Sequence, residues 1–499
     1  MSKILEKLLS GLNFELIKGD INQNISTVSY DSRQCIDQSV FVAITGLVAD
    51  GHDFISNGIK NGAKVIVLSR EIDLPEGITV IKVEDTRKAL AVIGANFYDN
   101  PSEKMRVVGI TGTNGKTTTI HILKSIYEKA GFKTGLIGTI GASVGDMTIP
   151  CKNTTPESLD LQHILFQMAQ EGVEYCFMEV SSHALGLDRV FATKFYGAMY
   201  TNLSPDHMEF HKDMEDYYNT KKKLFFMSDK FNLINVDDLW GRRLLTELKD
   251  FEKNLITYSV KEDSDYQASS IEYSVSGVKY ELKYSDTSGE ITLNLPGKVN
   301  VYNSLTAAAF ALTDNISFSD VSAGIKNVPG VKGRFETAFR KDDFQVIIDF
   351  AHTEDGLKEV ITSLRPFTKG KIVLVFGVYA APGKAGRDKR LAMGSTASEF
   401  ADILFVTSDN PKTQDPGTII EEIIEGVKSF NDKKEIYSFI DRQEAIENAI
   451  NIAGEKDLVL ITGKGHETAQ VIGNEAVPFN EKEIVLNSIL KYKNKAGIK

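Results

Sequence analysis

The sequence predicts an α/β protein of three domains, in which a central, doubly wound and mostly parallel sheet lies between two other α/β units. The chain has 499 residues, which suggests three domains at about 150 residues each. Short apolar runs rich in β-branched residues alternate with helical patterns along most of it. One such run, Val107 to Ile110, leads into a glycine-bearing turn and then a helical pattern. We therefore expect domains at residues 1–104, 105–332 and 333–499.

The first domain is expected to be a small α/β unit. Val40 to Ile44 and Val65 to Leu68 have the pattern of strands, with a helix between them around residues 54–61. The leucine-rich start of the chain lacks a sustained apolar core and a cleavage site, so it predicts a first helix instead of a signal peptide. The loop at residues 45–51, judged from its residues alone, is a surface connection.

The turn after Ile110 reads GTNGKTTT and has the spacing of a phosphate loop. Backbone N–H groups and the helix dipole hold anionic oxygens in such loops. Lys116 would reach the β- and γ-phosphates of a nucleotide, and the Thr117 hydroxyl would help to hold Mg²⁺. A plain strand-to-helix turn without a ligand is the alternative.

The remaining pattern completes two sheets. In the central domain, strands are expected at residues 134–140, 173–180 and 197–202, and the alternation over 266–295 predicts an antiparallel excursion. In the last domain, strands are expected at residues 344–350, 371–377, 403–407 and 458–462. This second doubly wound, Rossmann-like sheet has no phosphate loop of its own, so we expect it to bring a second substrate.

Composition excludes several classes of function. The net charge of −11, with no basic tail, argues against general nucleic-acid binding. The three scattered cysteines suit a reducing cytoplasm and argue against a disulfide framework or a zinc site. The chain lacks 18 consecutive apolar residues, so a membrane span is not expected.

A metal site is expected near the phosphate loop. Glu179 ends a predicted strand, where its carboxylate is well placed as an oxygen ligand for Mg²⁺. Asp206 and His207 follow the strand that ends at Asn202 and could supply a second ligand or orient a metal-bound water. A lone carboxylate at a strand end is more often a cap or an ion-pair partner, but two such tips beside a phosphate loop favour a metal.

Ten or more motifs in order resemble the Mur ligases of peptidoglycan synthesis, and within them the MurE branch, which adds the third amino acid of the peptide. They are YDSR, DGHDFI, GTNGKTTT, MEVSSHALGLDR, TNLSPDHMEFH, YYNTKKKLFF, NVYNSLTAAAF, VKGRFE, DFAHT, SDNPK and GKGHE. The resemblance covers nearly the whole chain.

The resemblance implies an ATP-dependent amide ligase. The D-glutamyl carboxylate of UDP-MurNAc-L-Ala-D-Glu would attack the γ-phosphate of ATP and become an acyl phosphate, and the amine of a free diamino acid would then displace phosphate. A carboxylate is a poor electrophile, and phosphorylation supplies the leaving group. The resemblance also implies cell-wall biogenesis as the role. We expect a cytoplasmic monomer.

The resemblance implies roles for particular positions. The catalytic residues would be Lys116, Glu179, His207 and Lys221. ATP would contact Gly112, Thr113, Asn114, Gly115, Lys116, Thr117, Thr118, Asn300, Asn303, Arg334 and Asp349. Mg²⁺ would be held by Thr117, Glu179, His207 and Lys221, the last as a carbamate formed from CO₂; a surface lysine beside Lys222 and Lys223 is the alternative. The UDP-sugar peptide would contact Tyr30, Ser32, Leu47, Val48, Ala49, Asn153, Thr154, Thr155, Ser181 and Arg189. The amino acid would contact Arg387, Asp409, Asn410, Lys412, Gly463 and Glu467.

The sequence departs from the family pattern in the amino-acid pocket. Diaminopimelate-adding relatives carry an arginine after Asp-Asn-Pro, and Lys412 stands there, with the charge but without the planar fork. The stretch 377–390 also differs, and Arg387 replaces the usual arginine only by an ambiguous alignment. We expect meso-diaminopimelate ahead of L-lysine. The alternatives are a related ligase acting on another carboxylate, such as a folylpolyglutamate synthetase or a specialised paralogue, and a nucleotide-binding relative without catalysis.

Overall fold

The computed structural model describes residues 2–46, 49–145, 147–251, 254–274, 276–328, 330–341 and 344–493. Three large sheets follow one another along the chain, each with helices packed against it. Within the described ranges, no helix has the length and apolar character needed to cross a membrane. The α/β class expected from the sequence is confirmed.

The first region carries a five-stranded sheet in the order β2-β7-β6-β5-β4, parallel except for the edge strand β2. Its elements are β1 Lys3–Ile4, α1 Leu5–Leu8, β2 Glu15–Lys18, β3 Asn24–Ile25, β4 Thr27–Ser29, β5 Ser39–Val42, α2 Ile55–Lys60, β6 Ala63–Leu68, β7 Thr79–Lys82 and α3 Thr86–Phe97. The predicted first helix is confined to the four residues of α1, so most of that prediction is wrong. Gly11 adopts φ +81°, a left-handed conformation that turns the chain away from a helix and into β2.

The central region carries an eleven-stranded sheet in the order β11-β10-β9-β12-β8-β13-β14-β15-β16-β17-β18. Its elements are β8 Arg106–Thr111, α4 Lys116–Lys129, β9 Thr134–Gly138, β10 Gly141–Val144, β11 Met147–Ile149, α5 Ser158–Gln170, β12 Tyr175–Glu179, α6 Ser182–Gly186, β13 Phe195–Tyr200, α7 Met214–Met227, β14 Ser228–Asn235, α8 Leu239–Leu248, β15 Asn254–Ser259, β16 Tyr266–Ser274, β17 Gly277–Tyr284, β18 Thr287–Leu293, α9 Lys298–Thr313 and α10 Phe318–Lys326.

The parallel core of this sheet positions the site. Strand β8 lies between β12 and β13, parallel to both, and Val107, Val108 and Ile110 on it are fully buried. The carboxyl ends of these three strands therefore meet at one edge, where open α/β sheets bind ligands. The antiparallel excursion expected at residues 266–295 is present as β16 to β18. Strands β14 and β15 were not predicted.

Helix α9 is buried nearly all round. Val301, Leu305 and the alanines from 307 to 309 are completely buried in the core beside β14 to β17. A helix that is apolar on all faces packs inside a protein. This packing leads the amino end of α9, with Asn300 and Asn303, to the phosphate loop.

The last region carries a six-stranded sheet in the order β19-β20-β24-β21-β22-β23, parallel except for the edge strand β19. Its elements are β19 Glu336–Lys341, β20 Phe344–Asp349, α11 Glu354–Leu364, β21 Ile372–Phe376, α12 Gly383–Phe400, β22 Ile403–Thr407, α13 Pro416–Phe430, β23 Glu435–Phe439, α14 Arg442–Ile452, β24 Leu458–Thr462, β25 Ala469–Ile472, β26 Glu475–Pro478 and α15 Glu481–Lys493. The four strands expected here are β20, β21, β22 and β24. Clusters of buried apolar side chains line both faces of the sheet, so it is doubly wound.

Candidate active site

The glycine-bearing turn at residues 112–115 joins β8 to α4. Gly115 caps α4 with φ +90°, a conformation that side chains other than glycine rarely adopt, and a Cβ there would clash with Oδ1 of Asn303. Asn114 donates its backbone N–H to Oδ1 of Asn202 at 3.0 Å. The turn is thus held by the residue pair that follows β13 and by α9. The first N–H groups of α4 lie directly beside it.

Two lysine side chains meet at this turn. Lys116 Nζ donates to the carbonyl oxygens of Gly112 and Thr113, each at 2.8 Å, and Lys221 Nζ donates to the same Gly112 oxygen at 2.9 Å. Burial lowers the pKa of Lys116, and burial together with the charge of Lys116 lowers the pKa of Lys221 well below its usual value. Lys221 is 2% exposed, so the alternative of a surface lysine is wrong.

The buried carboxylate of Glu179 lines the same cavity as this turn. Glu179, at the end of β12, accepts the Thr139 backbone N–H at 2.9 Å on Oε1 and the Thr139 hydroxyl at 3.0 Å on Oε2. Each oxygen keeps lone-pair capacity beyond that one bond. With the Thr117 hydroxyl at the start of α4, Glu179 offers the hard oxygen ligands that Mg²⁺ prefers.

Asp206 connects the central region to the last one. Lys389 Nζ on α12 lies 3.4 Å from its Oδ1, and His352 Nε2 lies 4.0 Å from its Oδ2. Burial raises the pKa of the Asp206 carboxyl, but the charges of His207, Lys389 and His352 outweigh burial and lower it. Lys389 had no role in the sequence interpretation, although it stands in the unusual 377–390 stretch.

One cavity of about 270 Å³ lies between the phosphate loop and the last region. Ten of the eleven residues expected to contact ATP line it: Thr113, Asn114, Gly115, Lys116, Thr117, Thr118, Asn300, Asn303, Arg334 and Asp349. Glu179, Asp206, His207 and His352 line it as well. The eleventh, Gly112, supplies the carbonyl that both lysines bind.

Arg334 brings a cation from the last region to this cavity. Its guanidinium donates to Thr117 Oγ1 at 3.3 Å and lies 4.5 Å from the centre of the Phe350 ring. Asp349 accepts the backbone N–H groups of Phe335 and Ala351, each at 2.8 Å, and so holds the segments on both sides of Arg334 and Phe350. Burial lowers the pKa of Arg334 and raises that of Asp349.

The amino end of α9 forms part of the cavity wall. Asn303 Nδ2 donates to Asn300 Oδ1 at 2.9 Å, and Asn300 Nδ2 donates to the Pro296 carbonyl at 2.7 Å. Both side chains are buried. This chain of amides fixes the Asn303 oxygen against the phosphate loop.

Several residues expected to bind the UDP-sugar peptide cluster behind Glu179. Thr155 Oγ1 donates to the Glu179 carbonyl at 2.8 Å and accepts the Ser181 backbone N–H at 3.1 Å. Arg189 Nη1 donates to the Thr155 carbonyl at 3.1 Å. Thr154 Oγ1 lies 3.3 Å from the Thr139 hydroxyl. These residues therefore form one wall that continues the cavity.

The rest of that expected set lies towards the first region. The Tyr30 hydroxyl donates to Asp160 at 2.6 Å, Ser32 is buried, and Asn153 is exposed. The Ala49 carbonyl accepts the Gly46 N–H at 2.9 Å. Leu47 and Val48 lie outside the described residues.

Arg87 was missed by the sequence interpretation. It donates to the Thr45 carbonyl at 2.9 Å and lies 3.1 Å from Glu157 Oε2, and Arg189 Nε lies 3.5 Å from the same oxygen. The pair of guanidiniums on one carboxylate links the first region to the central one. The available signal was the start of α3, where Asp85 caps the helix and leaves Arg87 in its first turn.

The residues expected to bind the amino acid are grouped around a buried lysine. Lys464 Nζ, with its side chain fully buried, donates to Glu467 Oε2 at 2.6 Å and to Asn410 Oδ1 at 2.9 Å. Asn410 Nδ2 also donates to Glu467 at 3.0 Å. At Gly463, a Cβ would lie 2.6 Å from Oδ2 of the buried Asp409. The pocket residues expected from sequence are thus adjacent, with Lys464 as an added cation.

Lys412 and Arg387 differ in their placement. Lys412 adopts φ +50°, and its backbone N–H donates to the Val471 carbonyl at 3.0 Å beside this group. The Arg387 guanidinium instead binds Glu425 on α13 at 2.6 Å and lies 3.7 Å from Glu422. Two carboxylates of the neighbouring helix therefore pair with Arg387 in this structure, and its assignment to the amino acid stays a prediction.

Burial also affects the histidines. It lowers the pKa from 6.5 to about 4 in His121, His183, His352 and His466. Taking a charged imidazole out of water is unfavourable, so these rings are neutral near pH 7.

The phosphate loop and the cavity beside it define a class of protein: an enzyme that binds a nucleoside triphosphate at the edge of the central sheet. Three Mur ligase sequence profiles match in order. They are the family's catalytic domain over residues 24–98, the Mur ligase middle domain over 110–311 and the glutamate ligase domain over 333–465. The chain belongs to the Mur ligase family.

The individual relatives place the chain in the MurE branch of this family. The chain is 42% identical over 484 residues to UDP-N-acetylmuramoyl-L-alanyl-D-glutamate--2,6-diaminopimelate ligase 1 of Clostridium acetobutylicum, covering 96% of this chain and 98% of the relative. It is 44% identical to the corresponding ligase of Caldanaerobacter subterraneus subsp. tengcongensis, with the same coverage. A solved structure of a ligase of that name superimposes with a TM-score of 0.69 at 26% identity, covering 98% of this chain and 99% of the other.

Proposed function

We propose that this protein is the ATP-dependent ligase that adds meso-diaminopimelate to UDP-MurNAc-L-Ala-D-Glu in peptidoglycan precursor synthesis. The relatives that cover the whole chain carry that activity in their names. The structural observation that carries the proposal is the single cavity that unites Lys116, Glu179 and Arg334. It concentrates positive groups and a carboxylate where a triphosphate and a second anion would meet.

The reaction requires two anions to approach each other. The D-glutamyl carboxylate oxygen forms a bond to the γ-phosphorus of ATP, ADP leaves, and the resulting acyl phosphate accepts the attacking amine with loss of phosphate and a proton. Lys116 and Arg334 neutralise phosphate oxygens, and catalysis rests mainly on positioning and charge. Thr117, Glu179 and His207 would hold Mg²⁺, which supplies further charge neutralisation.

We propose that Lys221 reacts with CO₂ to form a carbamate. Its lowered pKa keeps part of the side chain as the neutral amine, the form that attacks CO₂ and then loses a proton. The new anion would stand beside Lys116 and the Gly112 carbonyl and could serve as a metal ligand. The intact mass of the protein, measured with and without bicarbonate at mild pH, tests this step.

The acceptor and the amino acid would approach the cavity from opposite sides. The wall formed by Thr155, Ser181 and Arg189 supports binding of the UDP-sugar peptide beside Glu179. The group of Asn410, Lys464 and Glu467 supports binding of the amino acid. Lys412 would meet the distal carboxylate of meso-diaminopimelate, which L-lysine lacks.

The deciding experiment supplies the purified protein with ATP, Mg²⁺ and UDP-MurNAc-dipeptide, and then meso-diaminopimelate or L-lysine separately. We expect phosphate release and a tripeptide mass only with meso-diaminopimelate. Turnover with L-lysine alone would overturn the proposed amino acid. Phosphate release with a folate and glutamate, but not with the UDP-sugar peptide, would favour the folylpolyglutamate alternative.

We also propose that residues 1–104, 105–332 and 333–499 act as the three domains of a cytoplasmic monomer. Arg87 of the first segment contacts Glu157 of the central one, and Lys389 of the last contacts Asp206 at the cavity, which supports a site supplied by one chain. Sedimentation of the purified protein tests the oligomeric state.

A further inference from the structure

A group of three side chains that can ligate a metal lies beside the nucleotide cavity, and only His207 among them has a part in the reaction described above. It consists of His183 in α6 and of His207 and Glu209 in the loop after β13. One ligand atom of each lies within 4.8 Å of those of the other two. The His183 and His207 rings are 4.8 Å apart and nearly perpendicular. Of the three, only His207 is among the described residues that line the cavity.

We propose that His183, His207 and Glu209 form a binding site for a transition-metal dication of the zinc class, and that a metal bound there inhibits the enzyme. Two imidazoles and a carboxylate form a ligand set that holds Zn²⁺ with a fourth position open to water. Mg²⁺ prefers oxygen ligands, whereas two of the three ligands here are nitrogens, so this set favours a zinc-class ion over the metal of the reaction. The inhibition rests on the proposed ligase function, whereas the binding does not.

Two of the three side chains, His183 and His207, are positioned by neighbouring residues before any metal binds. The His183 ring stacks on Phe210, with ring centres 4.2 Å apart and planes 28° apart. His207 adopts φ +57°. Its backbone N–H donates to Asp206 Oδ1 at 3.0 Å, and its carbonyl oxygen accepts the backbone N–H of Phe210 at 2.9 Å. Within the described ranges, neither ring nitrogen of His183 has a hydrogen-bond partner. This imidazole is therefore fixed in direction and available for coordination.

The two nitrogens of His207 face different sites, and this explains the inhibition. Nδ1 lies 3.4 Å from Glu209 Oε1, and Nε2 lies 3.4 Å from Asp206 Oδ2 at the cavity. A neutral imidazole has one nitrogen with a free lone pair and one that carries hydrogen. A metal on Nδ1 leaves Nε2 protonated, as a donor to Asp206, so His207 can no longer act as a ligand on the cavity side. Occupation of one site therefore excludes the other.

The test measures Zn²⁺ binding by titration calorimetry with the full chain, in buffer that contains Mg²⁺. We expect one site, which weakens at least about ten-fold in both His183→Ala and Glu209→Gln, because each removes a ligand. The control is His163→Ala, since His163 is exposed on α5, where it stacks on Tyr98, and is not a member of this group. Co²⁺ should give a visible absorption band that the same two variants lose and the control keeps.

Ligase assays then separate binding from inhibition. Zn²⁺ should inhibit the parent enzyme and the His163→Ala control at the concentration that fills the site, and both site variants should need at least about ten-fold more. Equal Zn²⁺ affinity in the parent and both variants would overturn the site. Binding that follows the variants while turnover is unchanged at saturating Zn²⁺ would overturn the inhibition. Absence of ligase activity in the parent would refute the proposed function and leave the calorimetric result standing.

Discussion

Replacing Gly115 by alanine should weaken ADP binding, because the new Cβ would displace the Asn303 side chain. The φ of +90° costs an alanine about 1–2 kcal/mol. The new Cβ would also displace the Asn303 oxygen, which is tied to Asn300 by the bond between their amides. Breaking a buried hydrogen bond of this kind costs about 1–3 kcal/mol more. If that second cost falls on the nucleotide-bound state, ADP affinity drops by about 5- to 150-fold.

The chain contains a matched control for backbone strain. Gly131 has nearly the same φ, +93°, but a Cβ there would meet no atom within 4 Å. Gly131→Ala should therefore carry the strain without the displacement of a neighbour. Both variants should unfold at lower temperature than the parent.

Calorimetric titration with ADP separates the two costs. We expect Gly131→Ala to bind ADP like the parent and Gly115→Ala to bind it several-fold more weakly. Equal ADP affinity in the two variants would refute the argument that the amide pair on α9 fixes the nucleotide site. Scanning calorimetry in parallel verifies that both proteins are folded at the temperature of the titration.

Three further outcomes are expected. Lys221→Ala should lower turnover at least about 100-fold, because it removes a group that stabilises charge in the transition state. Short-chain carboxylic acids should partly restore turnover in a phosphate-release assay. Lys389→Met should lower the free energy of unfolding by about 3 kcal/mol, as measured by urea unfolding. This value is at the low end of the range for a broken buried ion pair, because histidines still face Asp206. The free energy of unfolding should fall as the pH drops from 6.5 towards 4. The reason is that the four histidines with a pKa of about 4 bind protons more weakly in the folded state than in the unfolded chain. Urea titrations across that pH range measure the slope.

Each of these outcomes has its own control. Lys222→Ala, which removes a contact with Glu247 at 2.9 Å and one with the Tyr218 ring, should leave turnover nearly unchanged. Equal loss in both lysine variants would contradict a special role for residue 221. Lys384→Met alters an exposed lysine on the same helix as Lys389 and should not destabilise the protein. His121→Asn should flatten the pH dependence, and stability that stays constant down to pH 4 would contradict the assigned protonation states.

Local sequence predicted those parts of the site that lie close together along the chain. The phosphate loop depends on a strand, glycines with left-handed backbone and a helix start, all within 13 residues, so its geometry follows from local preferences. The same holds for Glu179 at a strand end and for most of the alternating strands. The weaker prediction was the first helix, since Glu15–Lys18 pairs with β7, a partner that is distant in sequence.

Partnerships across the chain were decided only by the tertiary structure. Arg387 and Lys389 are two residues apart on α12, yet the helix directs the first to carboxylates of α13 and the second to Asp206 of the central region. Periodicity describes one helix by itself and carries no information about which neighbour faces each side.

The sequence by itself determined the α/β architecture, the phosphate loop and the order of the motifs, because these depend on local backbone preference and on the spacing of apolar residues. The tertiary structure alone decided that Lys221 is buried against Gly112, that Lys464 binds Glu467 and that His183 meets His207 and Glu209. Burial and charge at a side chain depend on segments far away in sequence, and these become neighbours only when the sheets assemble.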